Sequence, residues 1–168
     1  MGGPRLGPPC HESRCMSTPI VPIRREYPDA PRVGVGAVVL HEGRVLLVRR
    51  GSRPSWGKWS LPGGLVELGE TTAEAVCREI AEECACRIRL VGVCGVIDRV
   101  VRDAEGRVRY HYVLVDYLAY PESETIAAGS DAAEAIWVDI DRVDELDVTE
   151  GLTDMISRAL KMAEEERA

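Results

Sequence analysis

A mixed β-sheet covered by helices is the fold class that this chain predicts, and three observations predict it. Residues 33–40 and 44–50 are two β-branched runs split only by His41-Glu42-Gly43, a turn signal of the hairpin kind. Residues 87–101 and 108–119 are again rich in Val, Ile and Tyr, with Asp103-Ala104-Glu105-Gly106 as the turn between them. Residues 71–84 and 152–163 keep a helical period instead.

Each element in turn has a local reason. Seven of the ten prolines fall in residues 1–31, which argues against helix or a central strand there. These residues read as a Pro-rich N-terminal extension, and residues 32–168 as one domain. Met16-Ser17-Thr18 resembles an ordinary start of translation, so residues 1–15 are expected to add nothing to the fold. Cys10, His11 and Cys15 supply half a zinc site, but no second pair of ligands follows at metal spacing, and an unstructured tail is the better account.

The first two strands are expected to pair antiparallel. Leu61-Pro62-Gly63-Gly64 and Gly69 then break regular structure and leave a loop. Thr71, followed three residues later by Glu74, opens a helix with a capping box. A polar loop at 121–134 precedes a short strand at 135–140, and Leu152, Met155, Ile156, Ala159, Leu160 and Ala163 mark a second helix.

Composition narrows the function. A chain of 168 residues with 45% hydrophobic content can bury a real core as one domain. Its net charge of -7, with Lys and Arg scattered, argues against a nucleic-acid surface. The apolar run at 33–40 is far shorter than a bilayer span, and residues 1–10 lack the pattern of a secretory signal, so no membrane contact and a cytoplasmic location are expected. Cys77, Cys84, Cys86 and Cys94 lie in or just after the first helix and read as small buried hydrophobes rather than disulfides.

The chemistry concentrates in residues 64–86, GLVELGETTAEAVCREIAEECAC. Helical residues advance about 100° each, so Glu79, Glu82 and Glu83 project together while Ala73, Val76, Ile80 and Cys84 form a separate apolar stripe. Such crowded carboxylates repel one another, and a hard cation relieves that repulsion. A solvated acidic face is the plainer account of any charge run, but the glycine-rich loop just upstream weighs against it.

Gly64, Glu70, Arg78, Glu79, Ile80, Glu82 and Glu83 resemble the signature of the Nudix hydrolases, GX5EX7REUXEEXGU with U aliphatic. Six fixed positions match by chance with a probability of roughly 10⁻⁵ over a chain of this size. Ala85 and Cys86 depart from the pattern, where the family has Gly and an aliphatic residue. The resemblance spans residues 33–160 and implies an α/β/α sandwich with a mixed sheet.

It also implies hydrolysis of a nucleoside diphosphate linked to another moiety, with Mg²⁺ or Mn²⁺ as cofactor. Glu79 and Glu83 would be the principal metal ligands, Glu82 a further ligand or the base, and Gly63 a ligand through its carbonyl. Glu70 and Arg78 would form an ion pair tying loop to helix. In some relatives the base is a glutamate on a distant loop, and here Glu122, Glu124, Asp131 and Glu134 are all candidates.

Arg49, Trp59 and Tyr112 are the candidate substrate contacts, beside Trp56, Arg50, Arg53 and His111, although core packing or plain solvation accounts for each as well. Residues 109–119 with 135–138 look like members assigned as ADP-ribose pyrophosphatases. Against this, one such subgroup has a proline where Val101-Arg102 stands. The competing readings are a nucleoside triphosphate pyrophosphohydrolase and a nucleotide-sensing module without catalysis. The expected partner is a small nucleotide; a homodimer is the assembly considered.

Overall fold

Strand β1 (Arg32–His41) is buried without a break from Gly34 to Leu40 in the computed structural model, as a strand must be when both faces of its sheet are covered. Its side chains alternate between two cores. Val35, Ala37 and Val39 pack with Val76 and Ile80, while Val38 and Leu40 pack with Met155 and Ile156. Leu46, Leu47, Ile80 and Leu118 are fully buried, and each contributes roughly 2 kcal/mol relative to exposure. The structure describes residues 24–51, 55–129 and 132–168; Cys10, His11, Cys15, Met16, Arg53 and Asp131 lie outside them.

The other strands are β2 (Arg44–Arg50), β3 (Trp59–Ser60), β4 (Gly63–Leu65), β5 (Ile88–Arg102), β6 (Val108–Pro121) and β7 (Ala132–Asp139). The sheet runs β3-β2-β1-β6-β5, with β4 paired to β1 and β7 to β2. β1 lies parallel to β6, from Arg32 beside Tyr112 to Val39 beside Ala119, and the remaining pairs are antiparallel. Helix α1 (Thr72–Cys84) covers one face and α2 (Leu152–Arg167) the other, which makes an α/β/α sandwich with a mixed sheet. Among the described residues no helix is long and apolar enough to cross a membrane.

Three elements differ from the sequence reading. The loop expected from Leu61 supplies β4, and β3 forms at Trp59–Ser60, to which the sequence reading gave no element. Gly63 has φ 149° and sits so close to β1 that a Cβ would lie 2.0 Å from the Val35 carbonyl oxygen. Only glycine permits that approach, so the feature that reads as a breaker is what allows pairing. β7 begins at Ala132 inside the expected polar loop, because β2 offers it a partner as far as Arg50. It ends at Asp139, where Ile140–Glu145 turn into a 3₁₀ helix.

Residues 24–31 run along the hairpin of β5 and β6. The Tyr27 N–H donates to the Arg109 carbonyl at 2.8 Å, and its hydroxyl donates to Asp103 at 3.1 Å. Cys84 and Cys86 are buried, Cys77 and Cys94 half-buried, and all four are free thiols whose pKa burial pushes up.

Candidate active site

Helix α1 starts where its capping box dictates. Thr71 Oγ1 accepts the Glu74 N–H at 3.2 Å, and the Glu74 carboxylate accepts the Thr71 N–H at 2.8 Å. From that start, Ala75, Val76, Ile80 and Cys84 face the core, and Glu79, Glu82 and Glu83 leave it on the side of β4. Ala85 ends the helix in the left-handed region at φ 51°, the place the signature gives to glycine. The helix therefore stops on schedule despite the substitution.

Two glycines of β4 hold two of the glutamates. Glu83 accepts a hydrogen bond from the Gly63 N–H at 2.9 Å. The Glu79 carboxylate lies against Gly64, where a Cβ would come within 2.3 Å of its carboxyl carbon. Glu79 keeps 16% of its side-chain surface exposed and Glu82 keeps 60%, so Glu79 is the more enclosed of the two.

Arg78 is the hub between loop and helix. It grips Glu70 through Nε at 2.6 Å and a second nitrogen at 3.0 Å, a bidentate pair. It also donates to Glu79 at 3.0 Å, Glu82 at 3.2 Å and the Leu65 carbonyl at 3.1 Å. The guanidinium, aided by the Glu67 N–H, holds the Glu70 carboxyl down at about 2. Burial pushes the Glu79 carboxyl above the usual glutamate range; Arg78 opposes this, and the charges on Glu82 and Glu70 add to it.

This donor set fits a hard divalent ion, since it offers carboxylate oxygens beside backbone that carries no side chain. In the present arrangement Arg78 and the Gly63 N–H hold those oxygens. The described group whose ligand atoms lie within 4.8 Å of one another is instead His41, Glu42 and Glu124. Arg44 already neutralises it, with ion pairs to both Glu42 and Glu124.

The remaining candidates separate. Arg49 donates to the Gly57 carbonyl at 3.1 Å and pairs with Glu134 at 3.9 Å. Arg50, one residue on and across a strand irregularity, turns inward: its Nε is buried without a partner, and burial lowers its pKa, which the charge of Glu83 opposes. Trp59 packs on the α2 core. Trp56 is exposed. Tyr112 stacks on Tyr110 at 6.3 Å, in register with Arg32 and Arg99.

Of the loop acids, Glu124 is held by Arg44 and His41, which keep its carboxyl below the usual range, and Glu134 faces Arg49. The Ala127 and Gly129 N–H groups close onto the Cys84 and Glu83 carbonyls at 2.9 and 2.7 Å, which docks this loop on the end of α1. Asp116 on β6 was not singled out from sequence. It is buried beside Gly36, and burial alone pushes its carboxyl up to about 6. Alternation along an apolar strand was the one signal available, and it does not tell a buried acid from an exposed one.

Comparison with known proteins agrees with this geometry. A family model described as the NUDIX domain matches residues 30–159. An "ADP-ribose pyrophosphatase" of Methanocaldococcus jannaschii is 34% identical over 69% of this chain and 66% of its own length, a little under two thirds. The crystal structure of a MutT NUDIX hydrolase from Burkholderia pseudomallei superimposes with a TM-score of 0.68 at 31% identity, over 77% of this chain and 98% of that one. The NUDIX domain of Shewanella oneidensis NrtR, solved with ADP ribose, gives 0.65 at 25% identity over 80% and 89%. With glutamates, loop and sandwich in place and the family model covering most of its length, the chain belongs to the NUDIX domain family.

Proposed function

We propose that this chain is a metal-dependent pyrophosphohydrolase that cleaves a nucleoside diphosphate linked to another moiety, with ADP-ribose or a similar nucleotide sugar as its preferred substrate. The observation that carries the proposal is the anchoring of Glu79 and Glu83 on Gly64 and Gly63, with Glu82 beside them. A Mg²⁺ or Mn²⁺ ion bound there supplies charge neutralisation at the diphosphate and an acidified water. The residues' own work is to hold that ion: Glu79 and Glu83 as ligands, Gly63 through its carbonyl, Glu82 as ligand or base. Arg78, fastened to Glu70, would hold the Glu79 and Glu82 carboxylates in place for that ion.

The ADP-ribose preference is supported by the archaeal relative's name and by the ligand of the Shewanella domain. A triphosphate reading has support of its own in the name of a relative, a "Putative 8-oxo-dGTP diphosphatase" of Bacillus subtilis, 42% identical over 67 residues. On either reading we propose a cytoplasmic setting and a small nucleotide as the partner. A panel of nucleotides with Mg²⁺, resolved by chromatography, tests the proposal. Water adds across the diphosphate of ADP-ribose to give AMP and ribose phosphate, whereas a triphosphate would release pyrophosphate. A specificity constant at least about tenfold higher for triphosphates, roughly 1.4 kcal/mol in transition-state binding, reverses the ranking of substrates. Absence of chelator-sensitive turnover on every nucleotide rejects the enzyme.

A further inference from the structure

Glu124, on the loop between β6 and β7, is held by both its side chain and its main chain beside the β1–β2 turn. Its carboxylate lies 2.5 Å from an Arg44 guanidinium nitrogen and 3.0 Å from His41 Nε2. Its carbonyl accepts the Trp137 indole N–H at 3.1 Å. Trp137 also packs against both partners: the His41 ring centre is 5.7 Å away, and the Arg44 guanidinium lies 5.9 Å from the indole centre. β1, β2 and β7 each supply one of these groups, so the loop is fastened to three strands at once.

The same loop then closes on α1. The Glu122 N–H donates to the Arg87 carbonyl at 2.8 Å, and Ile126 packs against the α1 core. The Ala127 and Gly129 N–H groups cap the Cys84 and Glu83 carbonyls. A helix leaves its last carbonyls without partners of its own, so the firmness of its final turn depends on what caps them. Here that turn carries Glu82 and Glu83, and the caps come from the loop that Glu124 fastens.

We propose that Glu124 is a positioning residue: clamped by Arg44, His41 and Trp137, it fixes the loop that caps the last turn of α1 and so holds Glu82 and Glu83 in place for a divalent ion. This rests on the pyrophosphohydrolase reading above, and it assigns Glu124 to the geometry of the ligands and not to proton transfer. Arg44 and His41 hold its carboxyl below the usual glutamate range, so it stays ionised and paired near neutral pH. The carboxylate is 56% exposed, and ion pairs as open as this one add little to global stability. Its loss should therefore show at the loop and the site before it shows in the melting of the fold.

Hydrogen exchange and Mn²⁺ titration of the full chain, both without nucleotide, test this. In Glu124→Ala the Ala127 and Gly129 amides should exchange about fivefold faster than in the parent, and Mn²⁺ should bind about fivefold more weakly, with circular dichroism unchanged. Arg44→Ala should do the same, and the double variant should add little to either, because both changes break one contact. Glu124→Gln, which keeps an acceptor for Arg44, should recover part of both. Glu42→Gln removes a charge from the same cluster without touching the loop and should leave both in place. With ADP-ribose as probe, Glu124→Ala should raise the Mg²⁺ requirement by a similar factor and keep kcat at saturating Mg²⁺ within about twofold of the parent. A kcat that stays low at saturating Mg²⁺ would place Glu124 in the reaction itself and overturn the positioning role. Tighter Mn²⁺ binding in Arg44→Ala would put the ion on Glu124 directly and overturn it too. So would a Gly129 exchange rate within about twofold of the parent, or Mn²⁺ binding that Glu124→Ala leaves unchanged, including no binding at all. Mn²⁺ binding that Glu124→Ala weakens, in a protein that turns over no nucleotide, keeps the positioning role and rejects the hydrolase.

Discussion

Glu83 is held at both ends: its carboxylate accepts the Gly63 N–H, and its main-chain carbonyl accepts the Gly129 N–H at 2.7 Å. Glu83→Gln keeps the shape and removes the charge. It should lower Mg²⁺-dependent turnover on the order of 10³, several kcal/mol of transition-state stabilisation, while circular dichroism stays unchanged. Near-normal turnover would remove Glu83 from the ligand set. Ala85 carries the opposite kind of strain, an alanine at φ 51° that the backbone of glycine occupies freely. Ala85→Gly should therefore stabilise the fold by about 1 kcal/mol and raise Tm by a few degrees; a fall in Tm would mean that the cap is not strained. The spacing of Glu79, Glu82 and Glu83 was legible in sequence because helical period alone decides it. Which of Arg49 and Arg50 turns inward was not legible, because a register irregularity between them breaks the alternation that would have told them apart.

At the scale of elements, the site is a joint between α1, β4 and the loop at 122–129. The helices and long strands could be read ahead from caps, turns and periodicity. β3 and β4 could not, since their pairing comes from β1 and β2 and not from their own composition. The loop's docking was equally hidden, because it depends on a glycine meeting a helix end. A Cβ on Gly129 would lie 1.8 Å from the Glu82 carbonyl oxygen. Gly129→Ala must lift the loop or shift the last turn of α1, which carries Glu82 and Glu83. The expected outcome is a raised Mg²⁺ requirement together with a loss of stability of about 1–3 kcal/mol. A Mg²⁺ dependence identical to the parent's would show that the loop merely lies beside the helix. Gly64→Ala should disturb Glu79 more directly, since the added methyl would occupy the place of its carboxylate.

For the molecule as a whole, one sheet serves two cores, and the α2 side bears a burden that a stable fold would avoid. Asp116 lies in β6 between Val115 and Tyr117, which face the α1 core, so its own side chain goes to the other face beside Gly36. The Gly36 position has room for it only because glycine lacks a Cβ, which would stand 2.5 Å from Asp116 Oδ1. Burial raises this carboxyl from 3.8 to about 6, and among the described residues no charged partner offsets the cost. The sign follows from proton binding. Between those two values the folded chain holds a proton that the unfolded chain has released, so stability falls as pH rises across that window, and the full penalty stands above it. A gap of this size corresponds to on the order of 2–3 kcal/mol. Asp116→Asn removes the ionisation, so the variant should be more stable than the parent at pH 7.5 and lose most of that advantage by pH 4. Denaturant unfolding of both proteins between pH 4 and pH 7.5 measures the difference directly, because every other titrating group cancels in the comparison. An advantage that does not change with pH would mean that folding leaves the Asp116 pKa where it is in the unfolded chain. An asparagine less stable than the parent at pH 7.5 would mean that the carboxylate has a cationic partner when folded.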